Sequence, residues 1–187
     1  MRIGILGGTF NPPHIGHLIL AKEVQEKLAL DKIFFIPTNL PPHKEPQLPA
    51  VSHRFNMVKC ATESNSLFEV LDIEIKRGGT SYTIDTANEL KEKFSKADFY
   101  LIVGSDLANT FSTWKNFTQV KKLIKIVVAQ RKDFPLQEKD EFILVDITQI
   151  SISSSRIREM VKQGLSIKYL VNEGVERYIE KHKLYKE

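Results

Sequence analysis

The sequence predicts an α/β protein of the Rossmann-like, doubly wound class, with a mostly parallel sheet covered by helices on both faces. Three observations support this prediction: six short apolar runs have strand character, amphipathic segments with helical spacing alternate with them, and repeats and low-complexity tracts are absent. Strands that alternate with helices indicate βαβ units, whose strands are parallel and buried on both faces. In such sheets a ligand lies at the carboxyl ends of the strands.

The first half of the chain supplies three predicted strands and three predicted helices. The strands are the apolar runs at residues 2–8, 32–37 and 67–75, and the helices are the amphipathic runs at 14–30, 52–64 and 81–94. Ser52 is the predicted N-cap of the second helix, because a serine hydroxyl accepts a hydrogen bond from the first turn. A Pro- and His-rich loop after the second strand is too long for a simple connection.

The second half continues the alternation. The remaining predicted strands are at residues 98–104, 125–131 and 142–147; a helical segment surrounds Trp114, and helices are expected at 153–164 and 169–185. A chain of 187 residues is expected to form one domain, 1–187, with its C-terminal helical part (about 151–187) packed on that same domain.

Composition excludes several classes of protein. The 27 basic residues against 23 acidic residues give a net charge of +4, which suits phosphorylated ligands but is too weak to indicate nucleic acid. The single cysteine, Cys60, excludes an intramolecular disulfide and a cysteine-cluster metal site. The chain has neither a signal-peptide pattern nor an apolar run that would span a membrane, so a cytoplasmic location without a membrane partner is expected.

The stretch from Ile5 to His17, ILGGTFNPPHIGH, is the first candidate site. Gly7 and Gly8 fall at the end of the first strand, where glycine lets the backbone approach a ligand closely. A tight turn alone would also explain them. The dinucleotide fingerprint GxGxxG and the Walker loop are both absent, which excludes the standard NAD-binding loop and the P-loop.

His14 and His17 are three residues apart at the first turn of the following helix, so they are expected on one face. Zinc ligation would need further ligands, and no matching Cys, His or carboxylate cluster completes such a site. The interpretation we favour is that both imidazoles donate hydrogen bonds to phosphate oxygens beside a helix N-terminus.

Five segments resemble a known family. GGTFNPPHIGH resembles the first signature of the HxGH nucleotidyltransferases, and the hydroxyl-rich turn ISSSRIR, residues 152–158, resembles the second. Between them, IPTNLPPHK, RGGTSYTIDT and GSD followed by Trp114 are similar to bacterial nicotinate mononucleotide adenylyltransferases. HxGH alone also occurs in class I aminoacyl-tRNA synthetases, but the five segments together are far more specific. The resemblance extends over essentially the whole chain. One departure is Asn172, which stands where the family pattern leads us to expect proline.

The resemblance implies that ATP and nicotinate mononucleotide react to give nicotinate adenine dinucleotide and pyrophosphate. The attacking phosphate oxygen is already ionised at neutral pH, so no protein base and no covalent intermediate are needed. Mg²⁺ is expected to arrive on the ATP phosphates rather than at a metal site of the protein. Nucleic acid is not expected as a partner, and a homodimer is left open.

The resemblance also assigns the ATP site. His14, His17 and Arg158 are its expected catalytic residues. The expected ATP contacts are Gly7, Gly8, Thr9, Phe10, His14, His17, Gly104, Asp106, Ser153, Ser154, Ser155 and Arg158. Helix capping is the alternative role for the serines, a solvated surface charge for Arg158, and an ordinary turn for Gly104 and Asp106.

For the second substrate, Thr83 and the amides of a helix start would accept the pyridine carboxylate, and Trp114 would stack on the pyridine ring. Arg131 would take the mononucleotide phosphate, and His43 and Lys44 would close over the phosphates as a lid. Core packing is the alternative for Trp114, and a solvated charge is the alternative for Lys44.

Other functions stay open at this point. A related enzyme could prefer nicotinamide mononucleotide or phosphopantetheine, and a nucleotide-binding sensor could lack catalysis. A synthetase fragment is disfavoured, because a KMSKS-type loop is absent and the length leaves no room for an anticodon-binding domain.

Overall fold

The computed structural model describes residues 1–42, 48–130, 135–136 and 142–186. Within these residues six strands form one sheet in the order β3-β2-β1-β4-β5-β6, and every neighbouring pair is parallel. The strands are β1 (Arg2–Gly8), β2 (Lys32–Pro37), β3 (Phe68–Val70), β4 (Asp98–Gly104), β5 (Lys125–Gln130) and β6 (Ile143–Asp146). The predicted Rossmann-like α/β fold is therefore confirmed. The strand order reverses between β1 and β4, and such a reversal opens a crevice at the carboxyl ends of the two strands.

Helices cover both faces of this sheet. They are α1 (Ile15–Lys27), α2 (Val51–Thr62), α3 (Ile73–Arg77), α4 (Thr83–Lys93), α5 (Ser105–Ala108), α6 (Phe117–Leu123), α7 (Ser154–Lys162) and α8 (Glu173–Lys181), with a 3₁₀ turn at Phe111–Thr113. One core cluster packs α4 and α6 on Ile3 and Ile5, and another packs α1 and α2 on Leu6. Successive side chains of β1 thus enter opposite cores, as a doubly covered strand requires.

A third apolar cluster joins the C-terminal helices to the rest of the fold. Ile157 of α7 and Val175 of α8 pack with Met57 of α2, and all three side chains are fully buried. The backbone N–H of Ile15, which begins α1, donates to the carbonyl of Leu170 at 3.0 Å. These contacts bring the N-terminus of α7 close to the end of β1. None of the described helices is both long and apolar enough to span a membrane.

The strand predicted at 67–75 is wrong in its second half. β3 ends at Val70, and residues Ile73–Arg77 form the short helix α3. At this edge of the sheet β3 pairs with only three residues of β2, and beyond them the chain turns so that Ile73 and Glu74 are buried in a helical turn. The alternation of apolar and polar residues did not distinguish this helical turn from a strand, and tertiary packing determines which of the two forms.

Two helix starts differ from simple expectation. α2 begins at Val51 with Ala50 in the N-cap position, so the prediction that Ser52 caps this helix is wrong. At α8, the side chain of Asn172 accepts a hydrogen bond from the Gly174 N–H at 2.8 Å and caps the helix. Asparagine therefore starts this helix without the proline that the family pattern leads us to expect.

Candidate active site

A cavity of about 280 Å³ lies at the carboxyl ends of β1 and β4, in the crevice where the strand order reverses. Its walls combine apolar side chains of both strands with residues from the first turns of α1 and α7. Seven residues of the predicted ATP site line it: Gly7, His14, His17, Gly104, Asp106, Ser153 and Ser154. Segments at opposite ends of the sequence thus meet at one site, and their roles toward a ligand stay predictions.

The sequence analysis missed one wall of this cavity, formed by residues 147–150 between β6 and α7. The backbone N–H of Thr148 donates to a carboxylate oxygen of Glu23 at 3.0 Å. Hydrogen bonds from the side chain and, next, the backbone of Thr148 hold the pKa of Glu23 below its usual value. Gln149 donates from its side-chain amide to the carbonyl of Gln130 at 2.7 Å. The segment follows the carboxyl end of a parallel strand, and that position is the signal that could have found it.

The two histidines form a stacked pair at the start of α1. His14 is the N-cap residue, and its backbone N–H donates to Nδ1 of His17 at 3.1 Å. The ring centroids are 3.8 Å apart with an interplanar angle of 33°. Because Nδ1 of His17 accepts a hydrogen bond, the neutral ring carries its proton on Nε2, which makes Nε2 a donor. The prediction that both rings share one face is confirmed.

Gly16 makes room for this pair. A Cβ at residue 16 would lie 3.0 Å from Nδ1 and 3.1 Å from Cε1 of His14. The His14 ring therefore rests directly on the glycine backbone, which explains why a residue without a side chain stands between the two histidines.

The residues between the glycine turn and His14 do not line the cavity. Phe10 is 2% exposed, adopts a left-handed φ of 50°, and lies edge-on to His17 with ring centroids 5.1 Å apart. Its ring also packs against Gly8, where a Cβ would be 3.3 Å away. Phe10 thus supports the His17 ring. Gly8, Thr9 and Phe10 are absent from the residues that line the cavity, and their contacts with ATP stay a prediction.

Residues of α7 hold the Asn11–Pro12 turn, whose peptide bond is cis. Nη1 of Arg158 donates to the Asn11 carbonyl at 2.8 Å, and the Ser154 hydroxyl donates to the Pro12 carbonyl at 2.8 Å. Arg158 is half-buried, so it is more than a solvated surface charge.

The three serines play different parts. Ser153 is the N-cap of α7 and accepts from the Arg156 N–H at 3.2 Å, while Ser154 also lines the cavity. Ser155 lies outside the cavity and accepts from Nη2 of Arg158 at 3.2 Å. Capping, the alternative role considered for the serines, is what Ser153 does here.

Arg54 is a buried cation that the sequence analysis missed. It is 1% exposed, and its guanidinium donates to the carbonyls of Thr9 at 2.9 Å, Thr38 at 2.6 Å and Asn39 at 2.8 Å. It thereby ties the loop after β1 to the loop after β2. The signal was available, because Arg54 shares the apolar face of α2 with Met57, one helical turn away.

Thr83 and Trp114, the described residues of the predicted second-substrate site, are absent from the residues that line the cavity. Thr83 is the first residue of α4, as the predicted helix start requires. Trp114 is half-buried, lies edge-on to Phe111 with centroids 4.9 Å apart, and donates from Nε1 to the Thr110 hydroxyl at 3.2 Å. Trp114 and Tyr82, the N-cap of α4, pack on the same core cluster. Core packing therefore accounts for part of the Trp114 surface. The predicted residues Arg131, His43 and Lys44 lie outside the described residues.

A buried carboxylate anchors the first turn of α4. Glu74 is 7% exposed and accepts a hydrogen bond from the Thr86 hydroxyl at 2.7 Å. Burial raises the pKa of Glu74 because it disfavours the charged form. On the other side, the Ser81 N–H donates to the Leu40 carbonyl at 2.8 Å, and the start of α4 is thereby fixed to the loop after β2.

The described part of the chain contains no group of three or more His, Cys, Asp or Glu residues placed to hold a metal ion. Asp106 is the one carboxylate among the residues that line the cavity. Mg²⁺ typically binds through one or two carboxylates together with substrate phosphates and water. The donor set therefore fits Mg²⁺ that arrives on phosphates.

Comparisons with known proteins found relatives over nearly the full length of this chain. A family model described as cytidylyltransferase-like matches residues 5–160. A relative from Dictyoglomus turgidum is 43% identical over 99% of this chain and 96% of its own length; one from Lactiplantibacillus plantarum is 43% identical over 100% and 89%. Both are named probable nicotinate-nucleotide adenylyltransferase.

Solved structures share the fold at lower identity. A Plasmodium falciparum nicotinic acid mononucleotide adenylyltransferase complexed with NaAD superposes with a TM-score of 0.82 at 22% identity, covering 98% of this chain and 97% of that one. The same enzyme complexed with APC gives a TM-score of 0.80 over 98% and 96%.

Proposed function

This chain belongs to the cytidylyltransferase-like family, among its nicotinate-nucleotide adenylyltransferases, and we propose that it transfers the adenylyl group of ATP to nicotinate mononucleotide in NAD biosynthesis. The products are nicotinate adenine dinucleotide and pyrophosphate. The observation that carries the proposal is the cavity at the ends of β1 and β4, where the histidine pair meets the hydroxyl-rich start of α7. Segments from the beginning and the last part of the chain line this cavity, which supports the proposal that residues 1–187 form a single catalytic domain.

The proposed mechanism needs donors rather than a base. The phosphate oxygen of nicotinate mononucleotide attacks the α-phosphorus of ATP, and the bond to the leaving pyrophosphate breaks in line. Nε2 of His17 would donate to the phosphate oxygens that gain charge, and the N-termini of α1 and α7 would favour the same anions. Arg158, held beside the Asn11 carbonyl, would neutralise pyrophosphate. Mg²⁺ on the triphosphate would supply further charge neutralisation, and Asp106 is the acidic residue near enough to the cavity to support it.

For the acceptor we propose the start of α4. This helix has eleven residues, so its free N–H groups and dipole favour a carboxylate at its N-terminus, beside Thr83. The exposed part of Trp114 would pack on the pyridine ring, since both Trp114 and the N-cap Tyr82 rest on one core cluster. Arg131, His43 and Lys44 complete the proposal as phosphate contacts.

Product analysis tests the function directly. The purified protein is incubated with ATP, Mg²⁺ and, separately, nicotinate mononucleotide, nicotinamide mononucleotide or phosphopantetheine, and the products are separated chromatographically. We expect nicotinate adenine dinucleotide and pyrophosphate in equal amounts, at a rate at least tenfold above that with the amide, because the amide leaves the α4 amides without an anionic partner. A faster reaction with the amide would contradict the Thr83 assignment. ATP binding without pyrophosphate release would indicate a sensor instead of an enzyme.

The close fit between Gly16 and His14 gives a second prediction. Gly16→Ala places a methyl group 3.0 Å from Nδ1 of His14, so the ring must shift by a few tenths of an ångström. We expect kcat to fall about tenfold, because small displacements of positioned groups cost rate steeply. The free energy of unfolding should change little, since alanine favours the helix by about 1 kcal/mol. The measurements are steady-state pyrophosphate release and urea unfolding.

Gly174→Ala is the matched control. Gly174 is the second residue of α8, as Gly16 is of α1, and its Cβ would meet the side chain of the N-cap Asn172 at 3.2 Å. It is absent from the residues that line the cavity. The control should therefore keep kcat within about twofold. Equal losses of kcat in both variants would mean that the Gly16 effect arises from general loosening and not from His14.

A further inference from the structure

The Asn11–Pro12 turn connects the predicted phosphate site to the C-terminal part of the chain. Two of its carbonyl oxygens accept hydrogen bonds from α7: the Asn11 carbonyl from Arg158 and the Pro12 carbonyl from Ser154, both at 2.8 Å. The turn leads directly into His14, the N-cap of α1. Its orientation therefore determines where Arg158 is held relative to the histidine pair.

A residue beyond α8 holds the same turn from a third side. The hydroxyl of Tyr185 donates to Oδ1 of Asn11 at 2.8 Å, and it lies 4.0 Å from Sδ of Met57. Asn11 is 3% exposed, so water has little access to replace this hydrogen bond. Tyr185 itself adopts a left-handed φ of 64°, a conformation that costs a non-glycine residue about 1 kcal/mol and persists only where its contacts over-determine it.

The Tyr185 hydroxyl is a neutral donor with two cations nearby. Burial raises the pKa of Tyr185 well above its usual value, while the charges of Arg158 and Arg54 act in the opposite direction. The phenol consequently keeps its proton throughout the range of an enzyme assay. Its hydrogen bond to Asn11 is independent of pH there, and any effect of removing it is expected to be equally independent of pH.

We propose that Tyr185 is a positioning residue for Arg158, the predicted pyrophosphate ligand, which is not itself among the residues that line the cavity. The Tyr185 hydroxyl fixes the Asn11 side chain, and the Asn11 carbonyl in turn fixes the guanidinium of Arg158. The inference rests on the proposed function, since it assigns Arg158 to the leaving pyrophosphate. Tyr185 need not touch the substrate itself, because it acts through two hydrogen bonds within the protein. Tyr185 donates to the Asn11 side chain and Arg158 donates to the Asn11 carbonyl, each at 2.8 Å.

The test removes one oxygen atom. Tyr185→Phe keeps the ring and its packing but leaves Oδ1 of Asn11 without its donor. We expect the dissociation constant for pyrophosphate, measured by calorimetry at pH 7 and pH 8.5, to rise five- to tenfold at both pH values, as for the loss of about one buried hydrogen bond. We also expect kcat to fall by a similar factor, with the KM for nicotinate mononucleotide changed less than twofold.

Tyr178→Phe is the matched control. Tyr178 belongs to the same third apolar cluster, and its hydroxyl is also hydrogen-bonded, to Nδ1 of His53 at 3.1 Å and to the side-chain amide of Asn56 at 3.2 Å. It makes none of the contacts to the turn. This variant should show a change in thermal stability comparable to that of Tyr185→Phe but unchanged pyrophosphate affinity. If the two variants weaken pyrophosphate binding equally, or if neither does, the proposal is wrong.

A double-mutant cycle identifies the route. Asn11→Ala removes the acceptor of the Tyr185 hydroxyl, so the combination with Tyr185→Phe should weaken pyrophosphate binding no more than Asn11→Ala alone. Fully additive losses would show that Tyr185 acts by another path and would overturn the assignment.

Failure of this inference is distinct from failure of the proposed function. The measurement of pyrophosphate binding contains no mononucleotide, so it reports on Tyr185 whichever mononucleotide the enzyme uses as its second substrate. If the unmodified chain binds pyrophosphate but forms no nicotinate adenine dinucleotide, the proposed function fails while the Tyr185 comparison still stands or falls by its own result.

Discussion

His17→Ala is expected to lower kcat between about 100- and 1000-fold while weakening ATP binding less than about fivefold. The reason is that a hydrogen bond from Nε2 of His17 strengthens as charge moves onto the leaving pyrophosphate, and removing one such donor typically has an effect of this size. The measurements are kcat from pyrophosphate release and the ATP dissociation constant from calorimetry. Equal losses in turnover and affinity would show that His17 only binds ATP.

A second substitution distinguishes the donor role of His17 Nε2 from the structural role of its Nδ1. Nδ1 of His17 accepts the backbone N–H of His14 at 3.1 Å, so alanine also removes an acceptor at the start of α1. His17→Asn offers a side-chain oxygen in a similar place but no donor at the position of Nε2. It should lose nearly as much turnover as His17→Ala. His53→Ala is the control. His53 lies on α2, away from the cavity, and is hydrogen-bonded to Tyr178 of α8, so this variant should keep kcat within about twofold.

Arg54→Met is expected to produce the largest loss of stability among the changes considered, at least about 3 kcal/mol in the free energy of unfolding. Hydrogen bonds to charged groups contribute about 1.5 to 3 kcal/mol each, and Arg54 donates three, to Thr9, Thr38 and Asn39. Because the free energy of unfolding of a domain is about 5 to 15 kcal/mol, the variant would lose a large part of its stability. The measurement is the midpoint of urea unfolding at a fixed temperature.

Arg54→Lys keeps the result interpretable if the methionine variant does not fold. Lysine retains the charge but replaces the planar fork with a single ammonium, so it cannot reproduce all three contacts, and an intermediate loss of about 1 to 2 kcal/mol is expected. Arg177→Met is the surface control. Arg177 is paired with Glu173 on the exposed side of α8, and its replacement should lower the free energy of unfolding by less than about 0.5 kcal/mol. A loss in Arg54→Met no larger than this would show that the buried arginine is not a structural tie.

The predictions from sequence succeeded where a pattern is local and periodic. The buried runs of β1, β2 and β4 and the amphipathic run of α4 each carry enough repeats to specify their type and place. They failed for Ile73–Arg77, where five residues are too few for strand and helix periods to differ. The cap at Asn172 depends on a single side chain. The sequence does not distinguish a capping asparagine from one that is simply exposed to solvent.

The candidate site shows a similar division. The resemblance to the HxGH nucleotidyltransferases placed His14, His17 and Ser153 in one site, and all three line the same cavity. Each residue also lies at the start of a helix at the end of the sheet where a parallel sheet collects its ligand groups. Arg54 was within reach, as a charge on an apolar helix face. Tyr185 was not, because its partner Asn11 lies far away in the chain and nothing nearby in the sequence marks the contact. Long-range contacts between single polar groups have no local signature.

The Asn11–Pro12 turn also bears on how the chain folds during synthesis. The hydrogen bonds that Ser154, Arg158 and Tyr185 donate to it span 142, 147 and 174 residues. At typical translation rates of about 5 to 20 residues per second, synthesis of the chain between the turn and these three donors takes roughly 7 to 35 seconds. Contacts of such high sequence separation form slowly and late. Pyrophosphate would therefore bind most tightly to chains in which α7, α8 and the Tyr185 segment have folded against this turn.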